Sequence, residues 1–240
     1  MKRVSVFLCL SLFMSLVLAS AAIGFGGPAP EKKEEAVVQE DVLLIDDFES
    51  GSLRSPREWW TFDIERAEAS SNRGLTGGDE KVAGEVGNYS LLLKGGATNW
   101  YAGGCGTYIA KEKQDLSGYN SIQLDVYGNG PGSGTLKIEL FDDDNRNWQV
   151  EQDPAKAYAP VYDDKYVYDI RVDWKGWRRE LIPLDDFVDD NPGVGDDIWN
   201  PGQAGGSGGL LQIQFICIAG KADGVVNYSV DNVMLTVEEE

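Results

Sequence analysis

The stretch Val226-Asn-Tyr-Ser-Val-Asp-Asn-Val-Met-Leu-Thr-Val237 decides the fold. β-Branched and aromatic residues dominate it, as in a strand packed on a pleated sheet, and Glu238-Glu-Glu240 ends it in solvated charge. Asp231 and Asn232 interrupt the apolar run. A carboxylate in such a run is costly to bury unless it meets a cation, a donor network or water. At the other end of the domain, Leu43-Leu-Ile-Asp-Asp-Phe-Glu-Ser-Gly51 has the same character, with Asp46, Asp47 and Glu49 set around the apolar Phe48. The two segments are expected to lie side by side, as first and last strands, and to close a β-sandwich.

The chain between them reads as short strands and Gly-rich turns with almost no helical periodicity. Tyr89–Lys94 and Trp100–Ala110 are predicted strands. Ser121–Tyr127 alternates, with Ile122, Leu124 and Val126 on one face and Gln123, Asp125 and Tyr127 on the other. After the turn Gly128–Gly134, Thr135–Phe141 alternates again, with Leu136, Ile138 and Leu140 facing in and Lys137, Glu139 and Phe141 facing out. These two runs are expected to pair as a hairpin with one wet face. Further strands are predicted at Trp148–Glu151, Tyr166–Asp173, Arg178–Leu184, Leu210–Ile218 and Val225–Val237, with Trp174–Trp177 as a tight turn. Asp185–Gly209 is a long Gly/Asp loop carrying Trp199, of a length usually reserved for function. The expected class is all-β, a β-sandwich jelly roll of two antiparallel sheets without helices.

Met1-Lys-Arg3, the apolar run Val4–Leu18 and the small residues Ala19-Ser-Ala21 have the form of a secretory signal peptide over residues 1–21. That run is too short for a stable membrane span. Residues 22–40 are Gly, Pro, Lys and Glu with few large apolar groups, which predicts a flexible linker. Residues 41–240 form one domain, expected to be secreted or periplasmic without membrane insertion. The net charge is −19, and −21 once Lys2 and Arg3 leave with the leader. A field of that sign repels nucleic acid and anionic lipid and favours cations and neutral ligands. No histidine is present, so His-dependent triads and His-ligated metals are excluded. Cys105 and Cys217 are the two cysteines beyond the leader, and sequence leaves a disulfide and two buried thiols equally open.

Forty acidic residues make chance carboxylate pairs inevitable. A retaining glycosidase needs two of them about 5–5.5 Å apart. Asp125 and Glu139 meet that need only if the predicted hairpin forms. Binding to sugars asks for something else, namely rigid rings against sugar faces and planar polar groups for paired hydroxyls. Trp100, Tyr101, Tyr127, Trp148 and Trp199 fall on predicted loops or wet faces, and Asp125, Glu139, Arg171, Gln212 and Gln214 on outward positions. Trp59, Trp60, Trp174 and Trp177 read as core or turn anchors.

The order of motifs adds to this. Asp46-Asp-Phe-Glu49 opens the domain, followed by Trp59 or Trp60, then Asn99-Trp-Tyr-Ala-Gly-Gly104 and the Ser121–Phe141 segment. Gly176-Trp-Arg-Arg-Glu-Leu-Ile-Pro-Leu-Asp-Asp-Phe187, Pro201-Gly-Gln203, Leu211–Ile218 and Tyr228-Ser-Val-Asp-Asn-Val-Met-Leu235 complete the series. Over residues 42–237 the chain resembles the family 11 carbohydrate-binding modules and the related domain of the mitochondrial complex I intermediate-associated protein. The resemblance implies a galactose-binding-like jelly roll with a groove on one sheet for β-glucan chains, and structural calcium. It places groove aromatics at Trp100-Tyr101 and at Trp199, with Asp197 close before the latter. Leu211 and Cys217 stand where the family has an acidic residue and a tyrosine. Glu49 and Asp231, with Asp47 as a third, offer the oxygen ligands that a hard cation such as calcium takes. The leading expectation is an exported, non-catalytic carbohydrate-binding domain whose partner is a polysaccharide or oligosaccharide. The alternative is a structural or assembly protein of the cell envelope, partnered by an envelope protein. A jelly-roll glycoside hydrolase or lyase is the third.

Overall fold

The computed structural model describes residues 41–109, 114–156, 158–203 and 208–239, so the predicted leader and linker lie outside the described residues. In chain order the elements are β1 (Val42–Asp46), β2 (Trp60–Phe62), β3 (Arg66–Ser71), α1 (Glu80–Glu85), β4 (Tyr89–Gly96), β5 (Tyr101–Tyr108), β6 (Ser121–Asn129) and β7 (Gly134–Asp143). They continue with β8 (Gln152–Asp153), β9 (Ala159–Pro160), β10 (Asp164–Val172), β11 (Lys175–Pro183), β12 (Val188–Asp189), β13 (Gly209–Ile218) and β14 (Val225–Thr236). Two antiparallel sheets face each other. The first runs β11-β6-β14-β4-β3, with β1 also on β14; the second runs β12-β10-β7-β13-β5-β2.

Alternation sorts the apolar side chains of both sheets into one core. Leu136, Ile138 and Leu140 of β7, Ile213 and Phe215 of β13, and Leu124, Val126, Val230 and Leu235 of the first sheet are all wholly buried. Burying each such side chain contributes about 1.5–3 kcal/mol before conformational entropy is set against it. Trp59 closes one end of this core, stacked on Phe215 at 5.4 Å and tilted against Phe48 at 5.6 Å. Its indole nitrogen donates to the buried Asp46 at 2.9 Å, which gives one of the embedded carboxylates its partner.

β14 and β1 are neighbours, as the sequence implies, and the contact is a handover. Over Val225–Val230, β14 pairs with β4; from Val233 onward the same edge pairs with β1. Asp231 and Asn232 fall at the switch, where β14 also carries an extra residue against β6 and Asn232 has φ of 47°. The two polar residues therefore mark the place where the sheet edge opens and other groups can enter.

The predicted strand at Trp148–Glu151 is irregular, and Lys175–Trp177 belong to β11 rather than to a tight turn; three further expectations are corrected. The Ser121–Tyr127 and Thr135–Phe141 runs do not form a hairpin: β6 pairs with β11 and β14, whereas β7 pairs with β10 and β13. The connection at Gly130–Ser133 crosses between sheets, and alternation cannot distinguish the two outcomes because both bury the same residues. The fold also contains a helix. α1 is six residues long, too short for periodicity to reveal, and Asp79 caps it by accepting the N–H of Lys81 at 2.8 Å. It lies over the outer face of the first sheet, where Val82, Tyr127 and Trp177 form a second, small buried cluster. Trp60 is the third correction, since it stands on the outer face of the second sheet rather than in the core. Cys105 and Cys217 are both buried free thiols; burial pushes Cys217 up to about 12.

Candidate functional site

The outer face of the second sheet gathers side chains in rows that run across the strands. One row holds Tyr108, Gln212, Phe141 and Lys165, and the next holds Trp60, Gly106, Gln214, Glu139 and Val167. Beyond these come Phe62, Gly104, Ile216 and Lys137, and finally Tyr101, Ile218, Thr135 and Arg171. Six strands at the usual spacing make this face roughly 24 Å wide.

The β5 residues Gly104 and Gly106 shape one side of it. A Cβ at Gly106 would lie 2.8 Å from the Trp60 ring and 2.8 Å from Cγ of Gln214, and one at Gly104 would lie 2.9 Å from the Phe62 ring. The missing side chains let both rings lie down on the strand. Trp60 and Tyr108 sit together, ring centres 5.5 Å apart and tilted by 58°. They border a cleft of about 580 Å³ lined also by Asp47, Arg57 and Thr107. Tyr108 is 43% exposed and free to stack.

Next to the rings the floor is polar and recessed. Gln212 and Gln214 are 5% and 7% exposed, and the Gln214 amide donates to that of Gln212 at 3.3 Å. Lys165 reaches Asp190 at 2.8 Å and Glu139 at 3.7 Å. Burial raises the pKa of Glu139, against the pull of Lys165 and Lys137. Burial also opposes the charge on Lys165, but Glu139 and Asp190 outweigh it and leave its pKa raised. At the other corner, Tyr101 donates its hydroxyl to Asp63 at 3.1 Å, and burial followed by that bond raises its pKa. Trp100 is 49% exposed, its backbone in the left-handed region at φ of 76° and bonded on both sides, from its N–H to Ala222 and from Ala219 to its carbonyl.

Of the residues singled out from sequence, Tyr101, Glu139, Arg171, Gln212 and Gln214 share this face, with Trp100 at its corner. Arg171 stands well out in solvent, paired with Asp173 at 3.5 Å. Asp125 and Tyr127 are on the other sheet. Tyr127 lies beneath α1, edge-on to Trp177 at 5.3 Å. Asp125 is wholly buried and takes a two-pronged bond from Arg179 at 2.7 and 2.8 Å. Asp125 and Glu139 thus project from different sheets, which corrects the carboxylate pair expected on a hairpin. Trp148, Asp197 and Trp199 belong to loops at the Asp143 and Asp164 ends of β7 and β10. Trp148 donates its N–H to Asp143 at 2.8 Å, Asp197 accepts the N–H of Gly193 at 2.6 Å, and Trp199 packs edge-on against Tyr166 at 4.9 Å. Sequence reading took Trp60 for a core or turn anchor and passed over Phe62, Tyr108 and Lys165. The signal for the first two was the alternation Trp59-Trp60-Thr61-Phe62, which puts Trp60 and Phe62 on the side opposite the buried Trp59.

Of the carboxylates predicted to hold a metal, Asp231 lies at the strand switch with Glu49 acting on it, whereas Asp47 lines the cleft beside Trp60 and Tyr108. Asp231 is wholly buried; its Oδ1 accepts the N–H of Asn232 at 2.8 Å and its Oδ2 a long bond of 3.4 Å from Asn72. Burial first, then the charges of Asp125 and Glu49, lift its pKa to about 8. Glu49 accepts from the N–H of Tyr89 at 2.8 Å and from Asn88 at 3.0 Å. Asp47 is turned onto the N–H of Glu49 at 3.1 Å.

A two-sheet β-sandwich with one broad outer face of rings, amides and a buffered carboxylate is the class these features define. No protein-family model matches the chain, and no curated protein matches it. Among solved structures it is similar to a family 11 carbohydrate-binding module from Clostridium thermocellum in complex with a β-1,3-1,4-mixed-linked tetrasaccharide, at 21% identity and a TM-score of 0.47, covering 83% of this chain and 97% of that one. It is also similar to the CBM22-2 xylan-binding domain from Paenibacillus barcinonensis, at 17% identity and a TM-score of 0.41, covering 80% and 98%. An exo-β-agarase is matched over 82% of this chain and 25% of its own, at 14% identity and a TM-score of 0.49. The fold assignment itself stands on the strand pairing.

Proposed function

We propose that this chain is an exported, non-catalytic carbohydrate-binding module that holds a neutral polysaccharide chain across the outer face of its second sheet. One observation carries the reading: the Trp60–Tyr108 ring pair stands beside the recessed amides of Gln212 and Gln214. Rings supply flat apolar area for a sugar face at little entropic cost, and amides and carboxylates match paired hydroxyls. Lys165, 3.7 Å from Glu139, opposes the effect of burial on that carboxylate and gives it a cationic neighbour. The strongly acidic chain disfavours anionic ligands, which leaves neutral glycans as the fitting class. The sequence resemblance described above points the same way.

Calcium at the strand switch is part of this proposal. Glu49 and Asp231 fit a hard cation: both are carboxylates, Asp231 has no cationic partner among its hydrogen bonds, and Asn72 brings a neutral amide. Asp47 sits in the same turn as a third oxygen donor. A bound ion there would neutralise the repulsion of Asp231 by Asp125 and Glu49.

Screening the protein on a glycan array in calcium, with Trp60→Ala and Tyr108→Ala alongside, tests the reading. Binding of a neutral polysaccharide that weakens about thirtyfold on loss of either ring, near 2 kcal/mol, is the expected result. Binding that survives both substitutions would place the ligand elsewhere, and silence across the array would favour the envelope-assembly alternative.

A further inference from the structure

The loop Asp190–Asn200 folds back over the ends of β7 and β10 and brings carboxylates from three separate chain segments together. Asp144 follows β7, Asp164 opens β10, and Asp196 lies in the loop. One oxygen from each lies within 4.8 Å of the other two. Asp164 is wholly buried, and while its Oδ2 accepts the N–H of Ile198 at 3.1 Å, its Oδ1 has no hydrogen-bond partner. The Asp144 Oδ2 accepts the N–H of Asp164 at 2.9 Å, and its Oδ1 is likewise unpartnered. The free oxygen of Asp164 points into the cluster. A Cβ on Gly195, at φ of 77°, would come within 2.2 Å of Asp164 Oδ1 and 2.3 Å of Asp144 Oδ2, so both oxygens border the same small space beside the loop. Asp196 accepts the N–H of Ile198 at 2.9 Å and the amide of Asn200 at 3.4 Å. Among the described residues, no lysine or arginine pairs with any of the three.

Three carboxylates gathered around an unpartnered buried oxygen, with no cation beside them, are costly to leave empty. We propose that Asp144, Asp164 and Asp196 bind a calcium ion at a site separate from the strand switch. The donors are all oxygens, which selects a hard cation. Calcium takes six to eight oxygens in flexible geometry and so suits carboxylates drawn from three separate segments, whereas magnesium demands a near-ideal octahedron and keeps several of its waters. Water and backbone carbonyls complete the shell. The ion ties the loop to the sheet ends, and with it Trp199 on Tyr166 and Asp190 on Lys165. It would therefore hold one wall of the outer face in place, whatever ligand that face takes.

Terbium is a calcium-sized probe whose emission is sensitised by nearby tryptophan, and Trp199 is three residues from Asp196. Titrating the protein with terbium, and separately following thermal unfolding in chelator and in calcium, tests the site. Sensitised emission should persist in Glu49→Gln and fall at least tenfold in Asp164→Asn and in the exposed-site variant Asp196→Asn. In chelator both aspartate variants should melt no lower than the unaltered protein, because each removes like-charge repulsion; in calcium they should gain less. Emission and calcium response unchanged in the Asp164→Asn, Asp196→Asn double variant would overturn the proposal. So would emission lost in Glu49→Gln but kept in that double variant.

Discussion

At the scale of single residues, the strand switch shows how buried charge is managed. Asp231 and Asp125 face each other across β14 and β6, both wholly buried. Two carboxylates so placed would repel, and the structure answers with Arg179, which grips Asp125 with two bonds and reaches Glu85 of α1 at 2.8 Å. Asn232 adds a donor to Asp125 at 2.9 Å. Arg179→Met would leave Asp125 buried without its cation, at a cost of about 3–5 kcal/mol. Urea unfolding reads this directly, and a midpoint within error of the unaltered protein would show that water replaces the arginine. The need for a partner at Asp231 was legible in the sequence, because a carboxylate in an apolar strand has few alternatives. Arg179 was not, since its neighbour Arg178 is the same residue type and only the pairing register says which one turns toward Asp125.

At the scale of elements, the outer face depends on β5 being thin. Trp60 rests on Gly106 because no side chain stands between ring and strand. Gly106→Val would lift Trp60 and displace Gln214, so glycan affinity should fall as far as in Trp60→Ala. The valine would project from the outer face rather than into the core, and the melting temperature should move far less than the affinity does. Isothermal titration paired with thermal unfolding separates the two effects; intact affinity would show that Trp60 does not need its present tilt. Alternation in β6 and β7 correctly told inward from outward residues. It was silent on which sheet each strand joins, and so Asp125 and Tyr127 went beneath α1 while Glu139 went to the open face.

At the scale of the whole molecule, the net charge of −19 includes carboxylates gathered at the strand switch and at the loop over β7 and β10. Cations that bind the folded state alone stabilise it by mass action, about 2.7 kcal/mol at a hundredfold excess over Kd for one site. For a domain of this size that corresponds to roughly 5–10 °C in melting temperature. Chelator should therefore lower the transition by at least that amount and calcium restore it. A transition indifferent to both would remove the cation from the account of stability at either place.

The sequence by itself determined the all-β class, the meeting of first and last strands, the inward faces of β6 and β7 and the presence of a polar insertion at Asp231. These follow from period-two alternation and from the cost of burying polar groups, which are local properties. The tertiary structure alone decided which strands share a sheet, that Trp60 and Tyr108 stand together, that Arg179 meets Asp125, and that Asp144, Asp164 and Asp196 converge. Each of those joins segments distant in the chain, and their distances are set by crossovers and loop paths that alternation does not encode.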